Sequence, residues 1–253
     1  MEVEVVSAGG VLPAVSAIVP AAGFSTRMGN GRSKLLHSIC GQTVFERTLG
    51  ALCRAFNFEQ IVVPVRAELE AQFSELPEVR RCAKECRLHF VPGGETRQIS
   101  VRNGLEYIRH NVAQSAEHFV LVHDAARCLV SAAVVDRCIR GALLHRAVTA
   151  AVPLIDTLKR CNDQHRVVET VAREALWAVQ TPQVFSLQLL VEAHQRPEAL
   201  DSLHRYTDDA SLVEPLAAVQ VIEGERCNIK ITTPEDLEIA ERLLSAGRNF
   251  IAP

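Results

Sequence analysis

The sequence predicts an α/β fold, a mostly parallel twisted sheet flanked by helices. Short β-branched apolar runs alternate with segments of helical periodicity, and polar, glycine-containing segments follow directly after several of those runs. A charged stretch over 154–177 fits neither pattern. Strands alternating with helices at short intervals form βαβ units, whose crossovers join parallel strands.

The first strand is the apolar run 14–20 (AVSAIVP), which ends in a glycine-containing turn. From Thr43 the period changes: Val44, Phe45, Thr48, Leu49 and Leu52 recur at helical spacing, with Glu46, Arg47 and Arg54 between them. A second strand at 61–65 is followed by an acidic helical stretch at 68–75. A third strand at 88–91 meets the turn Pro92-Gly93-Gly94, and a helix follows over 100–108. The run 118–123 (HFVLVH) is the fourth strand, 132–144 a helix and 148–152 the fifth strand. The segment 154–177 carries Asp156, Lys159, Arg160, Asp163, Arg166 and Arg173 and alternates like a hairpin. It has no apolar core of its own, so it reads as a projecting β-arm. The chain closes with a helix signposted by Thr233 as N-cap, Pro234 at the first position, and Glu235 and Asp236 in the first turn. No repeat or linker divides the chain, so 15–253 reads as one domain and 1–14 as a disordered extension.

A length of 253 residues, 48% apolar and 23% charged, suits one generous globular domain. No apolar run reaches the length of a membrane span. The acidic start Met1-Glu2-Val3-Glu4 lacks the features of a secretory signal, which leads to the expectation of a cytoplasmic protein. A net charge of −3 argues against a general nucleic-acid binder but leaves room for a small anionic ligand. The cysteines at 40, 53, 82, 86, 128, 138, 161 and 227 are scattered, and nothing near Cys82 and Cys86 completes a zinc set. They read as reduced, mostly buried thiols.

Parallel sheets bind ligands at the carboxyl ends of their strands. The polar segments 20–34, 92–100 and 123–127 fall at those ends. In the first, Ala21, Ala22 and Gly23 let a ligand approach the backbone, whose amides can cradle phosphate. There is no G-x-G-x-x-G, and Lys34 is preceded by Ser33 and followed by Leu35, so this is no P-loop. Its distinguishing feature is the cationic pair Arg27 and Lys34, a fork and a point charge. From these residues alone a phosphate loop and an ordinary basic surface loop are equally good readings. The second segment, Gly93-Gly94-Glu95-Thr96-Arg97 with Ser100 and Asn103, is a plain turn or a loop that reads a base edge. The third, His123-Asp124-Ala125-Ala126-Arg127, offers Asp124 as a Mg²⁺ ligand beside substrate phosphates or as the partner of Arg127 in a salt bridge; His123 reads as structural. Farther on, Thr181-Pro182-Gln183, Thr207-Asp208-Asp209 and Asn228-Ile229-Lys230 each also admit a plain reading, such as a helix cap or an exposed lysine.

Taken together, AIVPAAGFSTRMG with Lys34 after it, GGETRQISVRNGL, VLVHDAAR, AVPLIDTLKR, TVAREALWAVQTPQVF, TDDASLVE and NIKITTPEDLEIAERLL resemble the 2-C-methyl-D-erythritol 4-phosphate cytidylyltransferases. They stand in that family's order across nearly all of 15–245. The resemblance implies a Rossmann-like fold and a nucleotidyltransferase of the non-mevalonate isoprenoid pathway. Its reaction is CTP plus methylerythritol phosphate to CDP-methylerythritol and pyrophosphate, with Mg²⁺ or another divalent cation. It further implies that Arg27, Lys34, Asp124 and Lys230 are catalytic, with Asp124 holding the metal. Ala21, Ala22, Gly23, Gly94, Glu95, Ser100 and Arg127 would bind the nucleotide. Thr157, Arg173, Thr181, Thr207 and Lys230 would bind the polyol phosphate, Thr157 and Arg173 reaching the neighbour's cleft on the arm of a homodimer. Ser33 and Cys128 replace prolines usual in the family, and Ser25 a frequent glycine; Ser33 gives the loop around Lys34 more freedom. A ribitol 5-phosphate cytidylyltransferase shares the nucleotide half, and a noncatalytic nucleotide-binding module is the reading from another class.

Overall fold

The computed structural model describes residues 13–23, 33–112, 117–196 and 206–246. Arg27, Ser25 and residues 1–12 of the N-terminal extension lie outside the described residues. In chain order the elements are β1 (Ala14–Ile18), β2 (Ser38–Ile39), β3 (Gln42–Thr43), α1 (Val44–Ala55), β4 (Gln60–Val65), α2 (Ala67–Ser74), α3 (Pro77–Glu85) and β5 (Arg87–Pro92). There follow α4 (Arg97–Asn111), β6 (His118–Val122), α5 (Ala132–His145), β7 (Ala147–Pro153), β8 (Leu158–Cys161) and β9 (Val167–Val171). The last are β10 (Trp177–Ser186), α6 (Leu187–Gln195), α7 (Asp209–Val213), β11 (Gln220–Glu223) and α8 (Pro234–Ser245).

The central sheet has the order β11-β7-β10-β6-β1-β4-β5. Every pairing in it is parallel except those of β10, which runs antiparallel to both β6 and β7. The expected mostly parallel sheet is therefore present, with one reversed strand that the sequence pattern hides. Pro182 lies in β10 where its register against β7 shifts between Val179 and Gln183, so the missing N–H leaves no gap in a regular ladder.

Both faces of the sheet are covered, which is why its strands read as continuous apolar runs. Along β1, Val15 and Ala17 face one layer with Phe45, Leu49 and Leu52 of α1 and Val134, Val135 and Cys138 of α5. Ile18 faces the other, with Val101, Leu105 and Ile108 of α4 and Leu190 and Ala193 of α6. The helices start where the chemistry of their first turns directs. Thr43 and Glu46 form a reciprocal capping box on α1. Asp236 accepts from the backbone N–H groups of Thr232 and Thr233 at the start of α8.

The arm is a hairpin of β8 and β9, antiparallel, with Leu158 opposite Val171. Asn162 closes its turn by accepting from the N–H groups of Gln164 and Arg166. Trp177 already belongs to β10, so the arm ends just before it. Among the described residues, no helix is long and apolar enough to cross a membrane.

Candidate active site

Three loops meet at the carboxyl edge of the sheet. After β1 the chain stays extended, Val19 N–H bonding Val62 O at 2.9 Å and Ala21 N–H bonding Pro64 O at 2.8 Å. This brings Ala22 against Gly93, beyond β5, where a Cβ would collide with the Ala22 methyl and crowd the Val65 carbonyl. The glycine is there for that close approach. A Cβ on Gly94 would likewise collide with Ile99. Ser100, buried on α4, accepts the Gly94 N–H at 3.0 Å and donates to Thr96 O at 2.9 Å, so its hydroxyl holds the loop's shape.

Asp124 follows β6. Its N–H donates to Thr181 Oγ1 at 3.0 Å, and that hydroxyl donates in turn to His123 Nδ1 at 3.0 Å. His123 Nε2 lies 3.0 Å from Arg127 O, an acceptor only, so Nε2 carries the ring proton. The Asp124 carboxylate is shared among three cations: Oδ1 with Arg97 Nε at 2.9 Å, Oδ2 with Lys230 Nζ at 2.9 Å and, more weakly, Oδ2 with Arg127 Nε at 3.5 Å. Burial alone would raise this carboxyl; Arg97, Lys230 and Arg127 outweigh it and hold it well below the usual range.

Lys230 is held in reach by the loop before α8. The side chain of Asn228, fully buried, donates to Thr181 O at 2.8 Å, and the Asn228 backbone carbonyl accepts from Arg127 Nη1 at 2.7 Å. Lys34 Nζ donates to Ile231 O at 2.6 Å, which ties the first loop to the one that carries Lys230. The result is a cleft of about 280 Å³ lined by Ala21, Ala22, Gly23, Lys34, Gly94, Glu95, Arg97, Ser100, Asp124 and Lys230, among others. Around Asp124 and the buried Asp209, Arg97, Arg127 and Lys230 leave a local excess of positive charge, suited to an anionic ligand.

The family model of 2-C-methyl-D-erythritol 4-phosphate cytidylyltransferase matches residues 15–246. The chain belongs to that family. A cytidylyltransferase of that name from Bacillus mycoides is 42% identical over 228 residues, covering 90% of this chain and 96% of its own. One from Thermosynechococcus vestitus is 39% identical over 232 residues, covering 91% and 95%. The crystal structure of the Thermus thermophilus enzyme superposes with a TM-score of 0.71 at 34% identity, over 92% of this chain and 99% of that one.

Against the family pattern, Ala21, Ala22, Gly23, Lys34, Gly94, Glu95, Ser100, Asp124 and Lys230 all reach the one cleft. Arg127 and Thr181 do not line it; they stand behind Asp124 and brace its loop. Thr207 is exposed, two residues from Asp209, and Asp208 caps α7 by accepting from Ser211 N–H. The plain cap reading is thus true of Asp208, while Asp209 turns inward. Thr157 and Arg173 are exposed on the arm, and neither lines this cleft. Arg97 and Asp209 escaped the sequence reading as site residues. Their pairing at 2.7 Å spans 112 positions, and no local pattern announces a contact of that range.

Proposed function

We propose that the chain transfers the cytidylyl group of CTP to 2-C-methyl-D-erythritol 4-phosphate, releasing pyrophosphate and forming CDP-methylerythritol for isoprenoid precursor synthesis. One observation carries the mechanism: Lys34, Asp124 and Lys230 converge from three separate loops on one cleft at the carboxyl edge of the sheet. A phosphate oxygen of the acceptor attacks the α-phosphorus in line and pyrophosphate leaves, with no covalent enzyme intermediate. Catalysis then consists of positioning and of charge stabilisation at the transferring phosphorus.

In this reading the amides of Ala21, Ala22 and Gly23, with Arg27 and Lys34, hold the triphosphate, and Lys34 steadies the charge that grows on it. The loop at Gly94 and Glu95, shaped by Ser100, meets the cytosine edge. Lys230, with Thr207, holds the acceptor phosphate against the nucleotide. Arg127 and Thr181 serve from behind, by fixing the Asp124 backbone. Among the described residues no three acids, histidines or cysteines group as a metal cage. Mg²⁺ in phosphoryl-transfer sites takes one or two carboxylates and completes its shell with phosphate oxygens and water, and Asp124 in this cleft fits that pattern. Asp124 would hold the divalent cation, whose chemistry there is neutralisation of the phosphate oxygens.

The arm fits a homodimer in which Thr157 and Arg173 complete the neighbour's site. Its support is the apolar surface left exposed on the hairpin, at Val167 and Val168, and beside its base, at Ile155 and Trp177. All eight cysteines are free thiols, in keeping with a reducing cytoplasm.

The test is pyrophosphate release with CTP and a divalent cation, with methylerythritol phosphate and ribitol 5-phosphate compared as acceptors. Turnover at least tenfold faster with methylerythritol phosphate is expected, and Lys34→Ala lowers kcat on the order of a hundredfold, the usual scale for losing one transition-state charge contact. Preference for ribitol phosphate overturns the acceptor assignment, and an unchanged kcat in the variant removes Lys34 from the transition state.

A further inference from the structure

We infer that Arg97 is a positioning residue for the transfer, a guanidinium strap that Asp209 anchors and that fixes how the Asp124 carboxylate faces the cleft. The inference rests on the cytidylyl-transfer reading above and deepens it.

Arg97 is the first residue of α4, directly after the loop that carries Gly94 and Glu95. Its Nε donates to Asp124 Oδ1 at 2.9 Å, and its Nη1 to Asp209 Oδ2 at 2.7 Å. Two edges of one rigid plane are thereby committed to two carboxylates. Its Nη2 has no hydrogen-bond partner among the described residues, so among them these two carboxylates set the plane's position.

Asp209 is a fixed anchor. It is fully buried, and its own N–H and that of Ala210 both donate to Gln183 Oε1, at 3.1 and 3.2 Å. Gln183 is locked in turn by donating to Thr149 Oγ1 at 2.8 Å and Asp208 Oδ2 at 2.7 Å. Asp209 Oδ1 also faces His194, whose Nε2 lies 3.5 Å away, beyond good hydrogen-bond geometry. A buried ion pair is a poor device for stability alone, since apolar groups of similar volume do as well or better. Placed between the nucleotide loop and the Thr207 segment, this one has a use.

The use follows from the division of labour on Asp124. With Oδ1 held by Arg97, only Oδ2 is presented to Lys230 and Arg127. Without the strap the carboxylate rotates, both oxygens close on Lys230 and Arg127, and Lys230 is drawn away from an acceptor phosphate. Nucleotide binding through Lys34 and the backbone amides is left largely intact. The loss therefore falls on kcat more than on KM for CTP.

The experiment is a double-mutant cycle on the full chain, with pyrophosphate release under saturating methylerythritol phosphate. The variants are Arg97→Gln, Arg97→Lys, Asp209→Asn and Arg97→Gln/Asp209→Asn, with folding checked by near-UV circular dichroism. Arg97→Gln is expected to lower kcat on the order of a hundredfold, with KM for CTP changed less than about threefold. Arg97→Lys keeps the charge without the fork and recovers part of the loss, to about tenfold below wild type. Asp209→Asn costs about tenfold, and the double variant is no worse than Arg97→Gln, because Asp209 acts only through Arg97. Multiplicative losses in kcat, or a folded Arg97→Gln with kcat within about threefold of wild type, overturn the strap. If Arg97→Gln does not fold, Arg97→Lys and Asp209→Asn decide: wild-type kcat in both overturns it. A wild-type chain that turns over neither sugar phosphate overturns the functional reading and this inference together; an active wild type with unaffected variants overturns only the inference.

Discussion

The neutrality of His123 is a condition of the loop it belongs to. Its ring is fully buried, accepts a hydrogen bond from the Thr181 hydroxyl at Nδ1 and donates one from Nε2 to Arg127 O. Burial pushes this imidazole down from 6.5 to about 4. The unfolded chain thus gains a proton near pH 6.5 that the folded chain refuses until about pH 4. Between those values the unfolded state binds more protons, so stability is full above the window and falls as pH falls through it. At pH 5 the loss from this one group is about 2 kcal/mol. His123→Gln, which removes the titration, should therefore show a smaller drop in urea-unfolding stability between pH 7 and pH 5 than wild type; equal drops refute the assignment. His89 and His118 are also shifted down by burial, but they titrate in both proteins and cancel in the comparison. Lys34 and Asp124 stood out in the sequence as charges near small residues after a strand, whereas Lys230 read as a plain lysine until the family resemblance singled it out. What Thr181 and Arg127 do was not legible, because bracing and ligand binding use the same residue types, and only placement behind Asp124 separates them.

At the scale of elements, the most telling one is the arm. Val167 and Val168 are adjacent in β9, where the register against β8 shifts by one residue, and both are exposed, at 60% and 64%. A lone two-stranded hairpin is marginal in water even with its Arg160–Glu169 pair. A second copy of the chain is the partner that the proposed crossed site requires. Val168→Glu should shift a dimer to a monomer in sedimentation velocity and lower pyrophosphate release more than tenfold, because Thr157 and Arg173 no longer reach a neighbour; the tenfold mark corresponds to about 1.4 kcal/mol of lost transition-state binding. A monomeric variant with full activity would sink the crossed site. Alternation over 154–177 made this element legible. Strand β10 was not, because Gln180, Pro182 and Gln183 interrupt its apolar pattern, and its partners lie on strands distant in sequence. Helix α3 was lost for a different reason: Pro77 and a run of charges leave only Val79 and Cys82 buried, too few to mark a face.

For the whole molecule, a site built from the ends of β1, β5 and β6 makes ligand binding and global stability one equilibrium. The strands are core and the loops are their continuations, so a nucleotide seated across Gly23, Gly94 and Asp124 bridges parts that separate on unfolding. Strand–helix alternation and the position of the polar loops made this architecture readable; the buried contacts behind the loops, at ranges up to 112 positions, were beyond any local pattern. The linkage is quantitative. CTP at a hundred times its Kd stabilises the folded chain by about 2.7 kcal/mol, which in a domain of this size raises Tm by roughly 5 to 10 °C. Phosphates are common to all nucleoside triphosphates, so the base dependence of the shift isolates what the loop at Gly94 and Glu95 contributes. Thermal unfolding at equal concentrations of CTP, UTP and ATP with Mg²⁺ should give the largest shift with CTP and the smallest with ATP. UTP falls between because it is a pyrimidine that lacks the exocyclic amine of cytosine. Equal shifts for the three would mean that the cleft senses phosphate alone, and the Gly94 loop would then have no part in choosing the base.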